Sequence, residues 1–441
     1  MITRRLTTVA LFGAAALYAA QAQAATEIQW WHSMTGELDS RVNDIANKFN
    51  AAQTEYKVVP VYKGSYDESM SAAVAAARAG HPPDILQVFE VGTATMMAAK
   101  GVIKPVYEVM REAGEKFDPA SYVPAVASYY TDSFGNMLSM PFNSSTTVFY
   151  YNKDAFKKAG LDPDKAPKTW NEVAAAAAKI KATGALPCAF TTAWQSWVQL
   201  ESTSAWHNVP FATRENGFAG MDAQLTFNNP VIVNHIAMLG QWAKDGRFTY
   251  AGRTTEPEAK FYSGECAMLT SSSAAYANIK RNAKFAFAIS TLPYHDDVKG
   301  APQNTIIGGA SLWVFAGKSK DEYKGIAKFF TFLSSPQIQA EWHQRTGYLP
   351  ITRAAYELTK SEGFYEKNPG TDISVEQLLL KNPTGASKGL RLGNYVQIRT
   401  INDEELEAVW SGKKTAKAAL DDAVRRGNEE LRKFERANTR P

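Results

Sequence analysis

The sequence predicts an α/β fold, and three observations carry that prediction. Short apolar runs suited to strands alternate with segments whose apolar residues recur at helical spacing. Capping residues stand before several of the helical segments, with Gly or Pro after them. The order is strand, helix, strand from the start, which implies a largely parallel sheet.

The elements follow in order. In TEIQWWHSM, Ile28 and Trp30 suit a buried strand. In GELDSRVNDIANKFNAAQ, Leu38, Val42, Ile45 and Phe49 fall on one helical face. Val58, Val59 and Val61 mark a second strand, SMSAAVAAARAG a helix and PDILQVFEV a third strand. Ligands of open α/β sheets sit beyond the carboxyl ends of the strands. Those ends carry His32 and Ser33, Tyr62 to Tyr66, and Glu90.

Asn143, Ser144, Ser145, Thr146 and Thr147 then form an uncharged polar run between two apolar ones. It reads either as a surface turn or as a crossing between lobes whose hydroxyls face a ligand. AFKKAGLDP is a short helix stopped by Gly160 and Pro163. Thr169 and Glu172 have capping-box spacing, so the helix through VAAAAAKIKA starts there and ends near Gly184. LPCAFTTAWQSWVQLE is a strand leaving through a loop into a helix, with Trp194 and Trp197 at the loop as core or as site.

KFYSGECAMLTSSSAAYANIK reads as a helix end, a strand and a serine-rich turn into another helix. Unpaired N–H groups at that helix start, beside Ser271, Ser272 and Ser273, favour an anion; simple capping is the alternative. IIGGASLWVFAG is a strand opened by a glycine pair where another group can approach closely. Helical patterns dominate from Lys324, and Leu420, Val424, Leu431 and Phe434 mark one face of the last helix.

The chain opens MITRRLTTVALFGAAALYAAQAQA, which has the positive, apolar and small-residue regions of a secretory signal peptide. Cleavage after Ala24 is expected, leaving a soluble exported protein without a lipid anchor. Losing Arg4 and Arg5 lowers the formal charge from +4 to +2. No charge run offers a footprint for nucleic acid. Two cysteines, Cys188 and Cys266, can pair in an oxidising compartment, although spacing does not show that they meet. A bridge closing so long a loop is worth roughly 4 kcal/mol.

Signatures of catalysis are missing. There is no H-E-x-x-H, phosphate loop or dinucleotide fingerprint, and Gly309 to Trp313 misses the nucleophile-elbow pattern at its last residue. A glycosidase carboxylate pair could hide among the acids. The residues alone therefore favour binding. They leave open a receptor for a neutral oligosaccharide and a secreted hydrolase.

WWHSMTGEL, YKGSYDESM, ILQVFEVGTATMMAAKG, PFNSST, YYNKDAFKKAGLDP, PKTW, NTIIGGASLWV, EWHQRTGYLPIT and KGLRLGN with QIR lie in order along the chain. In them the sequence resembles the glycerol-3-phosphate-binding periplasmic proteins, the solute-binding subunits of ABC importers. The resemblance implies a two-lobed, maltose-binding-protein-like fold, with lobe one at 25–143 and 306–347 and lobe two at 144–305 and 348–441. The chain would cross the hinge at the polar run, whose hydroxyls would line the cleft, then near Thr305 to Gly309 and at GYLPIT.

Carried over residue by residue, the implied ligand set is Tyr66, Glu90, Ser145, Ser272, Gly309, Tyr348 and Arg399. Glu90 would accept hydroxyls of the glycerol and Arg399 would offer its fork of donors to the phosphate. Trp194 and Trp197 would flank a larger diester such as sn-glycero-3-phosphocholine. The implied protein is a monomer that needs no cofactor or metal, catalyses nothing, and hands its ligand to membrane permease and ATPase subunits. Detail around TTAWQSW and SSSAAY departs from the family pattern, which leaves the choice between monoester and choline diester open.

Overall fold

Two separate β-sheets organise residues 24–439, the part described by the structure, which is a computed structural model. The signal-peptide expectation falls on residues 1–23, outside that range. The first sheet contains β1 (Thr26–His32), β2 (Tyr56–Tyr62), β3 (Ile85–Phe89), β4 (Ile103–Lys104), β5 (Met140–Ser145) and β10 (Gly308–Phe315). Its order is β2-β1-β3-β10, with β5 and β4 sharing the other edge of β10. The second contains β6 (Thr147–Asn152), β7 (Cys188–Thr192), β8 (Cys266–Ser272) and β9 (Phe287–Thr291), ordered β7-β8-β6-β9.

The opening elements form as their periodicity predicts. Ile28, Trp30 and His32 alternate inward along β1, and the helix Glu37–Ala52 buries Val42, Ile45 and Phe49. Trp30 packs edge-on to Phe142 at 5.2 Å and tilts against Phe329 at 5.5 Å, which ties β1 to β5 and to the helix Lys320–Leu333. The Thr169 hydroxyl and Glu172 carboxylate make the reciprocal capping box, and Gly184 ends that helix in the left-handed region at φ 63°. The last two helices, Tyr395–Trp410 and Ala416–Asn438, pack together through Leu420 and Leu431, with Phe434 buried and Val424 partly so.

The expectation of a largely parallel sheet is corrected. β1, β2 and β3 are parallel, but β10 is antiparallel to β3, and β6 is antiparallel to both neighbours. The reason lies in the path of the chain. β3 finishes at the cleft, whereas β10 comes from the second sheet and starts there with Gly308 and Gly309, so it runs the opposite way.

β5 continues to Ser145, two residues beyond the expected change of lobe at 143, and Thr146 alone separates it from β6. The polar run is wholly buried. Asn143 and Thr146 bond within the protein, and four of the five residues do not border the cleft, contrary to the reading that the hydroxyls of the run line it. Asn143 accepts from Gln87 Nε2 at 2.8 Å and donates to Tyr66 Oη at 3.2 Å. The Thr146 hydroxyl donates to the Ser374 carbonyl at 3.0 Å and accepts from Gln377 Nε2 at 3.0 Å. Only Ser145 of the five borders the cavity. Cys188 and Cys266 stand opposite each other where β7 and β8 begin, and they form a disulfide.

Candidate functional site

Between the two sheets lies a cavity of about 560 Å³, and all nine residues of the expected ligand set border it. They come from distant segments. Tyr66 begins the helix Tyr66–Arg78, which Ser65 and Glu68 cap, and its ring stacks on Phe89 at 5.0 Å. Glu90 follows the end of β3, Ser145 ends β5 and Ser272 ends β8. Tyr348 stacks on Trp342 at 5.6 Å. Burial raises the phenols of Tyr66 and Tyr348 well above the ordinary tyrosine value, so both are neutral hydroxyls at neutral pH.

Arg399 projects from the helix Tyr395–Trp410 into a tight charge cluster. Its Nε donates to Glu201 Oε1 at 3.1 Å, and its Nη2 donates to Glu201 Oε2 and Glu90 Oε1 at 2.7 Å each. Burial works against the guanidinium charge, but Glu201 and Glu90 outweigh it and hold Arg399 well above its ordinary value. Burial raises the Glu90 carboxyl, with Arg399 opposing. Of the fork expected at Arg399, two of the three nitrogens are engaged by carboxylates, and Nη1 alone has no partner among the described residues.

The serine cluster also differs from the anion reading. The helix after it, Tyr276–Asn282, has seven residues. The Ser272 hydroxyl accepts from the Ala274 N–H at 3.1 Å, and the Ser271 hydroxyl donates to Glu258 at 2.8 Å. Capping and a buried acid thus account for two of the three serines. At the glycine pair, a Cβ on Gly309 would lie 1.8 Å from the Asn143 carbonyl oxygen, and one on Gly308 would lie 2.3 Å from the Trp197 ring. The close approach expected there is made by a neighbouring strand and an indole.

Trp194 has φ 48°, a left-handed conformation that costs a residue with a side chain about 1–2 kcal/mol. Trp197 opens a π-helical turn, Trp197–Ser202, rather than an ordinary helix. Such turns collect at functional sites, and this one carries Glu201 to Arg399.

Among the charged residues that sequence reasoning missed here are Glu201, Arg253, Glu258 and Asp403. Arg253 lies along the cavity but is clamped by Glu407, with Nε and Nη2 each 2.7 Å from a carboxylate oxygen. Glu258 and Asp403 are 4% and 8% exposed, and both border the cavity. Asp403 accepts from the Ser196 hydroxyl at 2.7 Å. Burial pushes Glu258 up to about 7 against the hydrogen bond from Ser271, and Asp403 up to about 6 against Ser196 and Arg399. One signal was available. Asp403 follows Arg399 by four residues, so a helix puts both on one face.

With this geometry in place, comparison with known proteins gives a consistent result. Residues 44–371 match the family model described as bacterial extracellular solute-binding protein. The sn-glycerol-3-phosphate-binding periplasmic protein UgpB of Salmonella typhimurium is 58% identical over 422 residues, covering 96% of each chain. Its counterpart from Pectobacterium atrosepticum is 57% identical over 436 residues, covering 99% of this chain and 98% of the relative. The crystal structure of UgpB from Mycobacterium tuberculosis in complex with glycerophosphocholine superposes with a TM-score of 0.77 at 22% identity, over 93% of this chain and 99% of that one. A cyclic α-maltosyl-1,6-maltose binding protein from Arthrobacter globiformis has a TM-score of 0.72 at 21% identity, over 93% of this chain and all of the other. At those identities the two structures establish the shared fold.

Proposed function

From the premise that the chain belongs to the bacterial extracellular solute-binding proteins, we propose that it is the periplasmic substrate-binding subunit of an ABC importer. Its ligands are sn-glycerol-3-phosphate and glycerophosphodiesters such as sn-glycero-3-phosphocholine. The observation that carries this reading is the meeting of nine residues, spread from Tyr66 to Arg399, around one cavity between the sheets.

Tyr66 and Glu90 take the glycerol hydroxyls. Arg399 Nη1 and the hydroxyls of Ser145, Ser272 and Tyr348 take phosphate oxygens. Trp194 and Trp197 flank the alcohol beyond the phosphate. Lobe one is 25–143 with 306–347 and lobe two is 144–305 with 348–441, hinged at the three crossings. The protein acts as a monomer in the periplasm after cleavage at Ala24. It captures ligand by hinge closure and releases it unaltered to permease and ATPase subunits, with no nucleic acid involved. Contacts across the cleft support closure: Arg281 pairs with Glu37, and Arg399 with Glu90.

Titration calorimetry on protein refolded free of ligand tests this, with sn-glycerol-3-phosphate, sn-glycero-3-phosphocholine and maltose in turn. Saturable one-to-one binding of either phosphate compound, with maltose silent, is the expected result. Heat from maltose alone would transfer the chain to the oligosaccharide receptors. Release of glycerol or choline during incubation would mark a hydrolase.

A further inference from the structure

The cavity holds more negative than available positive charge. Both arginines on its wall are matched by carboxylates: Arg253 by Glu407, and Arg399 by Glu90 and Glu201. Glu258 and Asp403 are different. Each is buried, each borders the cavity, and each is supported by a serine hydroxyl rather than a cation. Neither has an ion-pair partner among the described residues. An ionised carboxylate withdrawn from water without a counter-charge is costly, and a cation brought by the ligand removes that cost. Trp194 borders the same cavity, and the face of an indole suits a quaternary ammonium.

We propose that Glu258 and Asp403 are specificity residues that select a glycerophosphodiester carrying a fixed positive charge over an anionic diester of similar size. The proposal rests on the glycerophosphodiester reading of the cavity and names the part of the ligand that these two side chains recognise. Their surroundings make the selection dependent on pH. Burial lifts Glu258 to about 7, with Ser271 and Trp194 opposing and Glu256 adding to the rise; Tyr150 and Tyr348 also face it. Burial lifts Asp403 to about 6, with Ser196, Arg399, Gln195 and Arg253 opposing; Tyr250 faces it as well. At mildly acidic pH the pair is largely neutral and indifferent to ligand charge. Above neutrality it is ionised and favours the cation.

The remaining raised carboxyls of the wall, Glu90 and Asp67, both feel the Arg399 charge. Glu90 belongs with the glycerol part that the two probes share, and Asp67 adjoins Tyr66 at that same end, so their titration is common to both probes and cancels in a ratio. The probes are sn-glycero-3-phosphocholine and sn-glycero-3-phosphoglycerol, neither of which titrates between pH 5.5 and 8. Calorimetric dissociation constants for both, on the mature protein at those two pH values, give the choline-over-glycerol preference.

The preference of the unaltered protein is expected to rise about tenfold or more from pH 5.5 to pH 8. In Glu258→Gln with Asp403→Asn, the preference at pH 8 is expected to fall to the acidic value. A preference flat with pH in the unaltered protein overturns the proposal without any variant, as does a preference that the double substitution leaves unchanged. Binding of neither diester at either pH overturns the glycerophosphodiester reading itself and this proposal with it. That result is distinct from tight binding without charge preference, which sinks the proposal alone.

Discussion

Two buried carboxylates, Asp403 on the cavity wall and Glu201 behind Arg399, are handled in opposite ways. Glu201, 1% exposed, gives both oxygens to Arg399. Asp403 is on the Arg399 helix, one turn further on, yet it gives one oxygen to a serine and has no ion-pair partner among the described residues. Burial alone therefore does not define what an acid contributes. Glu201 neutralises a permanent charge and fixes its fork in place. Asp403, like Glu258, is held near a pKa where a small change in surroundings changes its charge.

The strongest way to break the comparison is to remove the cation. Arg399→Ala leaves Glu90 and Glu201 facing each other without a counter-charge. We expect phosphate ligands to bind more weakly by around 2–5 kcal/mol in calorimetry. A loss of about 3–5 kcal/mol in urea-melt stability should accompany it, the range for one partner removed from a buried pair. Binding unchanged within error would remove Arg399 from the ligand set.

Substituting each acid in turn sharpens the contrast. Glu201→Gln is expected to destabilise by about 3 kcal/mol at pH 7.5, because Arg399 loses its main partner. Asp403→Asn keeps an acceptor for Ser196 and removes an unpaired charge, so it should be neutral or stabilising in the same melt. Equal losses from the two would show that the distinction drawn from their partners is wrong.

How much of this was legible in the sequence follows from the range of the interactions. Helical spacing of Val42, Ile45 and Phe49, and the Thr169–Glu172 capping box, are local signals, and the elements form where they point. Strand ends pointed to Glu90 and to the neighbourhood of Tyr66 by the general rule for open sheets. The polar run with Ser145, the serine turn with Ser272, the glycine pair and the two tryptophans were marked as site or structure, and Tyr348 and Arg399 came through the family resemblance alone. Sheet membership was not local. Residues on both sides of Thr146 are strand formers, and nothing in their propensity says that β5 and β6 join different sheets. Glu201 was invisible for the same reason, since its partner is 198 residues away and its burial is set by the fold.

A pH series tests the poised acids directly. A carboxyl whose folded pKa is raised contributes stability that is full below the unfolded value and lost as pH rises through the folded one. For Glu258 the window runs from 4.5 to about 7, and for Asp403 from 3.8 to about 6. Histidines pull the other way below 6.5: burial lowers His207 and His343 to about 4, and withdrawal from water also lowers the buried His32 and His235 and the half-buried His295. The informative quantity is thus the difference between the unaltered protein and Glu258→Gln at each pH. It should be near zero at pH 4, below the window, and favour the variant by on the order of 2–3 kcal/mol at pH 8. A difference independent of pH would mean that Glu258 titrates normally.

The smallest expected effect concerns the aromatic beside these acids. Trp194 is partly exposed to the cavity, whereas Trp197 is 4% exposed and packed with Val198, Trp206 and Leu292. Both border the cavity, but Trp194 offers more surface to a ligand, and Trp197 flanks it from within the packed wall. Trp194→Ala should weaken sn-glycero-3-phosphocholine by about 0.5–2 kcal/mol, the range for a cation on an aromatic face. It should leave sn-glycerol-3-phosphate, which has no cation, within error. An equal loss for both ligands would mean that Trp194 shapes the cavity as a whole, and that Glu258 and Asp403 must recognise positive charge without an aromatic partner.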